Sequence, residues 1–188
     1  MNQSFVVFFT FLLLSAAANT LDPEMKAGND FTQATCDRTG ELKDLCISVI
    51  NSNPREDLKS NLTGFLAIFI NETLHVVIDD HSYLSNQTLN GQLDNQTLQV
   101  FTRCASQYQM SKDSLRVILE DELLKQHNAD LNMDLGQIDN YLALCEMEFE
   151  GFTEEPSAWK ARYDYVSSLL ILSLRMTNLI KCNRIHVC

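Results

Sequence analysis

The strongest constraint in this sequence is an apolar stripe over residues 131–152. Its members recur at alternating intervals of four and three residues: Leu131, Leu135, Ile138, Leu142, Cys145, Phe149 and Phe152. An α-helix brings such positions onto one face, and this spacing is typical of the seam between the helices of a bundle. The stripe therefore predicts a long helix whose apolar face is buried against other helices.

Three further segments carry apolar stripes with helical spacing. The segment 53–56, Asn-Pro-Arg-Glu, predicts a helix start with Asn53 as N-cap, and the stripe after it fades around 79–83. Another stripe covers about 98–124, and the last begins after Pro156 and continues to about residue 181, with Trp159 facing inward. Since strand patterns are nearly absent, the sequence predicts an all-α, up-and-down four-helix bundle.

The N-terminus predicts export. Residues 5–14 form an apolar run too short for a membrane span, and the small residues that follow suit a signal peptidase. We therefore expect a signal peptide at 1–18, a disordered segment at 19–31, a folded domain at 32–181 and a cysteine-containing tail at 182–188. The mature protein is expected to be secreted and to have no membrane partner.

Four Asn-X-Thr sequons lie within a stretch of 35 residues, at Asn61, Asn71, Asn86 and Asn95. In a secreted protein such triplets accept N-linked glycans on the surface. They predict that the first bundle helix and its connection to the second carry the glycans.

Six cysteines in an oxidising compartment are expected to form bridges. Cys104 and Cys145 fall on the core-facing stripes of the second and third bundle helices, and they can pair if those helices are antiparallel neighbours. Cys36 and Cys46 would then close a short N-terminal helical hairpin. The pair Cys182, Cys188 is expected to join locally if the last helix ends near residue 181; otherwise one or both link to a second chain.

Charge narrows the classes of partner. The formal net charge is −11, and residues 101–158 hold 12 acidic against 4 basic side chains. A nucleic-acid binder needs a basic face, so this balance argues against one. A cationic protein partner, or simple solubility, fits the balance better.

Catalytic and metal motifs are absent from the sequence. No G-x-S-x-G, H-E-x-x-H or Gly-rich phosphate loop occurs, which argues against an enzyme and predicts no cofactor. The cluster of His75, Asp79, Asp80 and His81 is interpreted as a polar helix end in solvent, because a metal site needs converging ligands and a supporting outer shell.

Several of these features together resemble the plant invertase/pectin methylesterase inhibitor family. They are the Cys36–Cys46 hairpin, the turn at 53–55, Cys104 in one long helix, and the segment 145–151, CEMEFEG, which closes the next. The resemblance covers roughly 32–181. It implies a four-helix bundle after an N-terminal helical hairpin, with two disulfides. It also implies an apoplastic inhibitor that blocks the substrate cleft of a cell-wall or vacuolar carbohydrate enzyme and has no chemistry of its own.

The turn before the third bundle helix bears on the target. Invertase inhibitors typically carry Pro-Lys-Phe there, whereas residues 125–130 read KQHNAD. Methylesterase inhibitors often show Gly-Asp-Tyr at this turn and a Thr before the fourth cysteine, where this chain has Leu144. The missing Pro-Lys-Phe favours a pectin methylesterase, bound non-covalently. An acid invertase target is the first alternative, and a secreted helical ligand-binding protein without inhibitory activity is the second.

The resemblance also implies a docking side, since the second to fourth bundle helices of methylesterase inhibitors face the enzyme. Many plant methylesterases are basic, so polar and acidic side chains there are the candidates for partner binding. The expected docking residues are Gln107, Lys112, Glu120, Asp121, Gln137, Asp139 and Asn140. Dimerisation through the tail cysteines or the hairpin is left open.

Overall fold

A computed structural model of the chain describes residues 23–89, 93–122, 131–150 and 157–185. These residues form helices and no strand. The α-helices are α1 (Pro23–Cys36), α2 (Lys43–Ser52), α3 (Leu62–Leu89), α4 (Asn95–Val117), α5 (Leu131–Glu150) and α6 (Ser157–Ile185). Short 3-10 segments cover Asp37–Leu42 and Glu56–Leu58, and a π-helical turn, Ile118–Glu122, extends α4.

The four long helices form a closed ring. Helix α3 packs on α4, α4 on α5, α5 on α6, and α6 closes the ring against α3. The predicted all-α four-helix bundle is therefore confirmed. Helix α3 is long and apolar enough to cross a membrane by length and composition. Eleven of its residues, including Phe65, Ile68 and Phe69, are buried in the bundle, which accounts for that composition.

The stripe on α5 lies in the core as its spacing predicts. Its described members are at most 2% exposed: Leu131, Leu135, Ile138, Leu142, Cys145 and Phe149. Phe152 lies outside the described residues. Burial of each such side chain contributes about 1.5–3 kcal/mol, so this helix is held mainly by its apolar face.

Aromatic side chains from all four long helices meet at one level of the bundle. The Trp159 ring of α6 stacks on Tyr83 of α3, with centroids 6.2 Å apart, and meets Tyr108 of α4 edge-on at 5.4 Å. Phe149 of α5 lies 5.1 Å from Trp159. Trp159 is 1% exposed, which confirms it as a core anchor.

The N-terminal hairpin consists of α1, the 3-10 segment and α2. A disulfide joins Cys36 to Cys46, with Cα atoms 5.6 Å apart. Phe31 packs on Phe65 of α3 at 5.2 Å. From α6, the Arg175 guanidinium donates to the Thr39 carbonyl oxygen and pairs with Glu41 at 2.5 Å. The hairpin is thus attached to both α3 and α6.

The helix start predicted at Asn53 is wrong. The Asn53 side chain accepts from the Arg55 amide at 2.9 Å, which makes a turn, and α3 begins only at Leu62. Asn61 is its cap, because its side-chain oxygen accepts from the Gly64 amide at 2.8 Å. Both asparagines precede an apolar stripe, and burial of the stripe from Leu62 onward selects the second.

Helix ends also differ from the expectations. Helix α3 continues to Leu89 instead of fading at 79–83, because Tyr83 and Leu84 pack in the bundle. Residues 23–31, expected to be disordered, are helical in α1, where the apolar Phe31 contact supports them. Helix α6 passes residue 181 and ends at Ile185.

The helical path of α6 includes Cys182, which is disulfide-bonded. The expected tail at 182–188 is therefore helical at least to residue 185. Cys188 lies outside the described residues, so its pairing stays a prediction.

Asp80 is not part of a solvated helix end. It is fully buried against α6, whereas its neighbours His75 and Asp79 are exposed as expected. The ion pair that accounts for this burial joins Asp80 to Arg162, 82 residues away. In the described part of the chain, no three His, Cys, Asp or Glu side chains converge as metal ligands would.

Candidate partner-binding surface

Helices α4 and α5 are joined along their shared side by a covalent bond and an ion pair. The Cys104–Cys145 disulfide brings their Cα atoms to 4.8 Å. Arg103, the residue before Cys104, pairs at 2.6 Å with Glu148 of α5, which lies one turn after Cys145. These contacts fix which faces of the two helices point outward together.

The solvent side of α5 carries apolar residues. Opposite its buried stripe, residues at 133, 137, 140, 144 and 147 repeat the four-and-three spacing and are exposed. Three of them are large and apolar: Met133 is 69% exposed, Leu144 41% and Met147 64%. Gln137 and Asn140 complete this row.

Helix α4 adds two apolar residues beside this row. Met110 and Val117 follow Arg103 at intervals of seven residues, so they share the side of α4 that faces α5. They are 36% and 54% exposed. Five of the eight large apolar residues that the described chain exposes thus lie on α4 and α5. We call the set Met110, Val117, Met133, Leu144 and Met147 the outer α4–α5 face.

Four of the seven predicted docking residues lie on or beside this face. Gln137 and Asn140 are exposed within the α5 row, and Glu120 is exposed in the π-helical turn after α4. Gln107 is half-buried on α4 near the groove with α5, and its side-chain oxygen is buried without a hydrogen-bond partner in the described structure. The backbone of Asp121 belongs to the same turn as Glu120, but its side chain lies outside the described residues.

The other two predicted residues point to different helices. Lys112 lies beside His81 of α3, and together with burial its charge lowers the pKa of that imidazole. Asp139 is half-buried toward α6, where burial raises the pKa of its carboxyl. Its neighbour on α6, Tyr163, is partly desolvated next to Glu146, which raises the pKa of Tyr163 to about 12. The structure therefore does not bring Lys112 and Asp139 to the outer α4–α5 face.

The sequon asparagines occupy another part of the bundle. Asn71 and Asn86 lie on α3, in line with the exposed residues His75 and Ser82, and Asn61 caps the start of that helix. Asn95 begins α4 at the end next to α3 and is exposed. Helix α3 neighbours α4 and α6 in the ring, so its outward side is diagonally opposite that of α5. Glycans on α3 would leave the outer α4–α5 face uncovered.

The apolar residues of this face were not predicted from the sequence, because only polar and charged side chains were considered as candidates for docking. A signal for them exists in the sequence, since Met133, Leu144 and Met147 sit half a turn from the buried stripe of α5. A solvent-facing row would ordinarily be polar. Apolar residues on the solvent side of a helix depart from that pattern, so they indicate a surface that a partner could cover.

A family comparison matches most of the chain. The family model described as plant invertase/pectin methylesterase inhibitor matches residues 30–176. A comparison with curated protein sequences finds no match.

Solved structures of similar fold include two inhibitors from Arabidopsis. The first is mutant form A of a pectin methylesterase inhibitor from Arabidopsis, with a TM-score of 0.65 and 16% identity over 76% of this chain and 92% of that one. The second is a pectin methylesterase inhibitor from Arabidopsis thaliana, with a TM-score of 0.59 and 16% identity over 78% and 93%. At this identity the likeness concerns the fold.

Proposed function

Because the chain belongs to the plant invertase/pectin methylesterase inhibitor family, we propose that it is a secreted inhibitor that binds a plant pectin methylesterase non-covalently. In this proposal the bound inhibitor covers the substrate cleft of the enzyme. The family is one of inhibitor domains and not of catalysts, so the function rests on a binding surface and needs no cofactor. An acid invertase is the alternative target.

The observation that carries the proposal is the outer α4–α5 face. Methionine and aromatic residues are enriched at the centres of protein interfaces, where apolar area is removed from water. A monomeric protein in water gains nothing from three exposed apolar residues on one row of α5, whereas a partner would bury them. The exposed acid Glu120 beside the face suits a basic enzyme surface.

The sequons support the same orientation. We propose that Asn61, Asn71, Asn86 and Asn95 carry glycans in the apoplast, after removal of residues 1–18 as a signal peptide. Asn61, Asn71 and Asn86 lie at the start of α3 or on it, diagonally opposite α5, so their glycans point away from α5. An enzyme can then approach the outer α4–α5 face without meeting them.

The test is a paired inhibition assay. The secreted mature protein is titrated at mildly acidic pH against a plant pectin methylesterase and a plant acid invertase. Inhibition of the methylesterase alone supports the proposal. Inhibition of the invertase alone contradicts the choice of target, and inhibition of neither by a correctly disulfide-bonded protein favours a ligand carrier.

Variants then test the surface. Met133→Glu and Met147→Glu place a charge at solvent-exposed positions, so the bundle should keep its thermal stability. If these residues are desolvated in the complex, each change should weaken inhibition about tenfold or more. Leu89→Glu is the matched control, because Leu89 is 80% exposed at the end of α3. Equal inhibition by all three variants would remove the outer α4–α5 face from the interface.

A charge test is independent of the apolar one. Glu120→Lys should slow association with a basic methylesterase and reduce the salt dependence of binding. Asp44→Lys makes the same charge change at an exposed position of α2. If both variants bind as the wild type does, acidic residues beside the face do not guide docking.

A further inference from the structure

A charged residue is buried between two helices of the bundle. The Asp80 side chain on α3 has no exposed surface, and its Oδ1 accepts from the Arg162 guanidinium of α6 at 2.5 Å. Arg162 itself is 45% exposed and lies over the Tyr83 ring, 5.4 Å from the centroid. The pair therefore joins a carboxyl in the interior to a cation at the surface.

The carboxyl is only half satisfied by hydrogen bonds. Asp80 Oδ2 has no hydrogen-bond partner among the described residues. The nearby Tyr108 hydroxyl and the Trp159 indole N–H are also buried without a partner there. An ionised carboxylate normally needs several hydrogen bonds or a buried cation to offset its desolvation. With one half-exposed cation as compensation, the cost of burying the ionised carboxyl is only partly offset.

Other titratable groups surround the same site. Asp79 of α3 and Arg162 of α6 act on Asp80 itself, and Tyr108 of α4 interacts with Asp80, Arg162, Glu146 of α5 and Tyr163 of α6. His81, the next residue on α3, interacts instead with Lys112 and Asp113 of α4. Burial has the largest effect on Asp80 and raises the pKa of its carboxyl. Arg162 opposes that rise and Asp79 adds to it. The helices around Asp80 thus contribute one compensating cation against the cost of burial.

We propose that the Asp80–Arg162 contact between α3 and α6 is a pH-sensitive element that makes the bundle more stable in acid than at neutral pH. The direction follows from linkage. A carboxyl with a raised pKa in the folded state contributes stability below its unfolded pKa of about 3.9. That contribution is lost as the pH rises through the folded value, because the protein must then ionise a buried group.

His81 has the opposite effect and must be separated from Asp80. Its pKa is lowered by burial and by Lys112, so its contribution to stability is present at neutral pH and is lost in acid. The pH profile of the wild type alone therefore does not isolate Asp80. The difference between the wild type and a variant that changes only Asp80 does.

The experiment compares wild type with Asp80→Asn in urea unfolding, from about pH 4 to about pH 7. Asparagine keeps the acceptor for Arg162 and removes the ionisation. The variant should have the higher urea midpoint at neutral pH, and the gap should narrow as the pH falls. Asp44→Asn is the control, because Asp44 is an exposed aspartate on α2 and does not act on Asp80, and its midpoint should follow the wild type.

Two results would overturn the proposal. A variant that is less stable than the wild type at neutral pH and recovers in acid would show that the attraction to Arg162 outweighs burial. A gap that does not change with pH would show that Asp80 does not titrate in this range.

A second measurement covers the case in which the Asn variant does not fold. The carbon chemical shift of the Asp80 carboxyl in the folded wild type reports its titration directly. A midpoint above about 3.9 supports the proposal, and a midpoint below that value overturns it.

Discussion

The same substitution at two glycines should have opposite effects on stability. Gly64 is the third residue of α3, and a Cβ there would enter the backbone of Leu58, only 2.7 Å from its carbonyl carbon and closer still to the oxygen. At Gly136, on the solvent side of α5, an added Cβ would meet nothing within 4 Å. Alanine at Gly64 therefore tests the cost of close packing, and alanine at Gly136 tests the gain in helix propensity alone.

The magnitudes follow from these surroundings. In a helix interior, alanine is favoured over glycine by about 0.8–1.0 kcal/mol, which Gly136→Ala should gain in full. Gly64→Ala meets backbone that cannot rotate away, and overpacking of that kind costs about 1–3 kcal/mol. Offset by its smaller propensity gain near the helix start, the net loss is about 1–2 kcal/mol.

Thermal unfolding by circular dichroism measures both variants. For a domain of this size, 1 kcal/mol shifts Tm by about 2–4 °C. Gly136→Ala should therefore raise Tm by a few degrees and Gly64→Ala should lower it by a similar amount or more. If Gly64→Ala raises Tm as much as Gly136→Ala does, the result would contradict the close contact between the Leu58 backbone and Gly64.

Two further predictions concern attachments at the N-terminal end. In protein from a host that does not glycosylate, Asn61→Ala should lower the free energy of unfolding by about 1 kcal/mol, because the Gly64 amide loses its cap. Asn61→Asp keeps an acceptor for that amide and should leave the free energy of unfolding unchanged. Urea unfolding measures both, and equal stabilities of the two variants would contradict the cap. Arg175→Met removes the donor to the Thr39 carbonyl and the ion-pair partner of Glu41. Amide hydrogen exchange in α1 and α2 should therefore accelerate several-fold, while exchange in α5 is unchanged. Equal acceleration in all helices would mean that the hairpin does not open separately.

The fold was predictable because the stripes on α4, α5 and α6 are local signals. A helix places residues three and four apart on one face whatever its neighbours are, so the buried positions of α5 follow from spacing alone. The roles of Cys104 and Cys145 are more demanding, since they require two stripes to be antiparallel neighbours. The structure contains that bridge between α4 and α5.

The misplaced features depend on contacts between distant residues. Asp80 looks like part of a polar helix end until Arg162, 82 residues away, is placed beside it. The choice between Asn53 and Asn61 as helix cap depends on which apolar residues the other long helices bury, and these belong to the stripe from Leu62 onward. No pattern within one segment contains this information.

The candidate surface was only partly predictable for a related reason. The expected charge complementarity selected polar residues, and side-chain direction then divided them among three sides of the bundle. Gln137 and Asn140 face outward on α5, whereas Lys112 points toward α3 and Asp139 toward α6. An error of one residue in helical phase is enough to exchange such positions.

The position of Trp159 has a consequence for spectroscopy. It is the one tryptophan of the chain, and the aromatic rings that pack on it in the described part of the chain come from α3, α4 and α5. Its fluorescence therefore reports separation of the four long helices, while far-ultraviolet circular dichroism also records loss of α1 and α2. Coincident unfolding curves from the two signals would show that hairpin and bundle unfold as one cooperative unit. An earlier transition in circular dichroism alone would show the hairpin melting first.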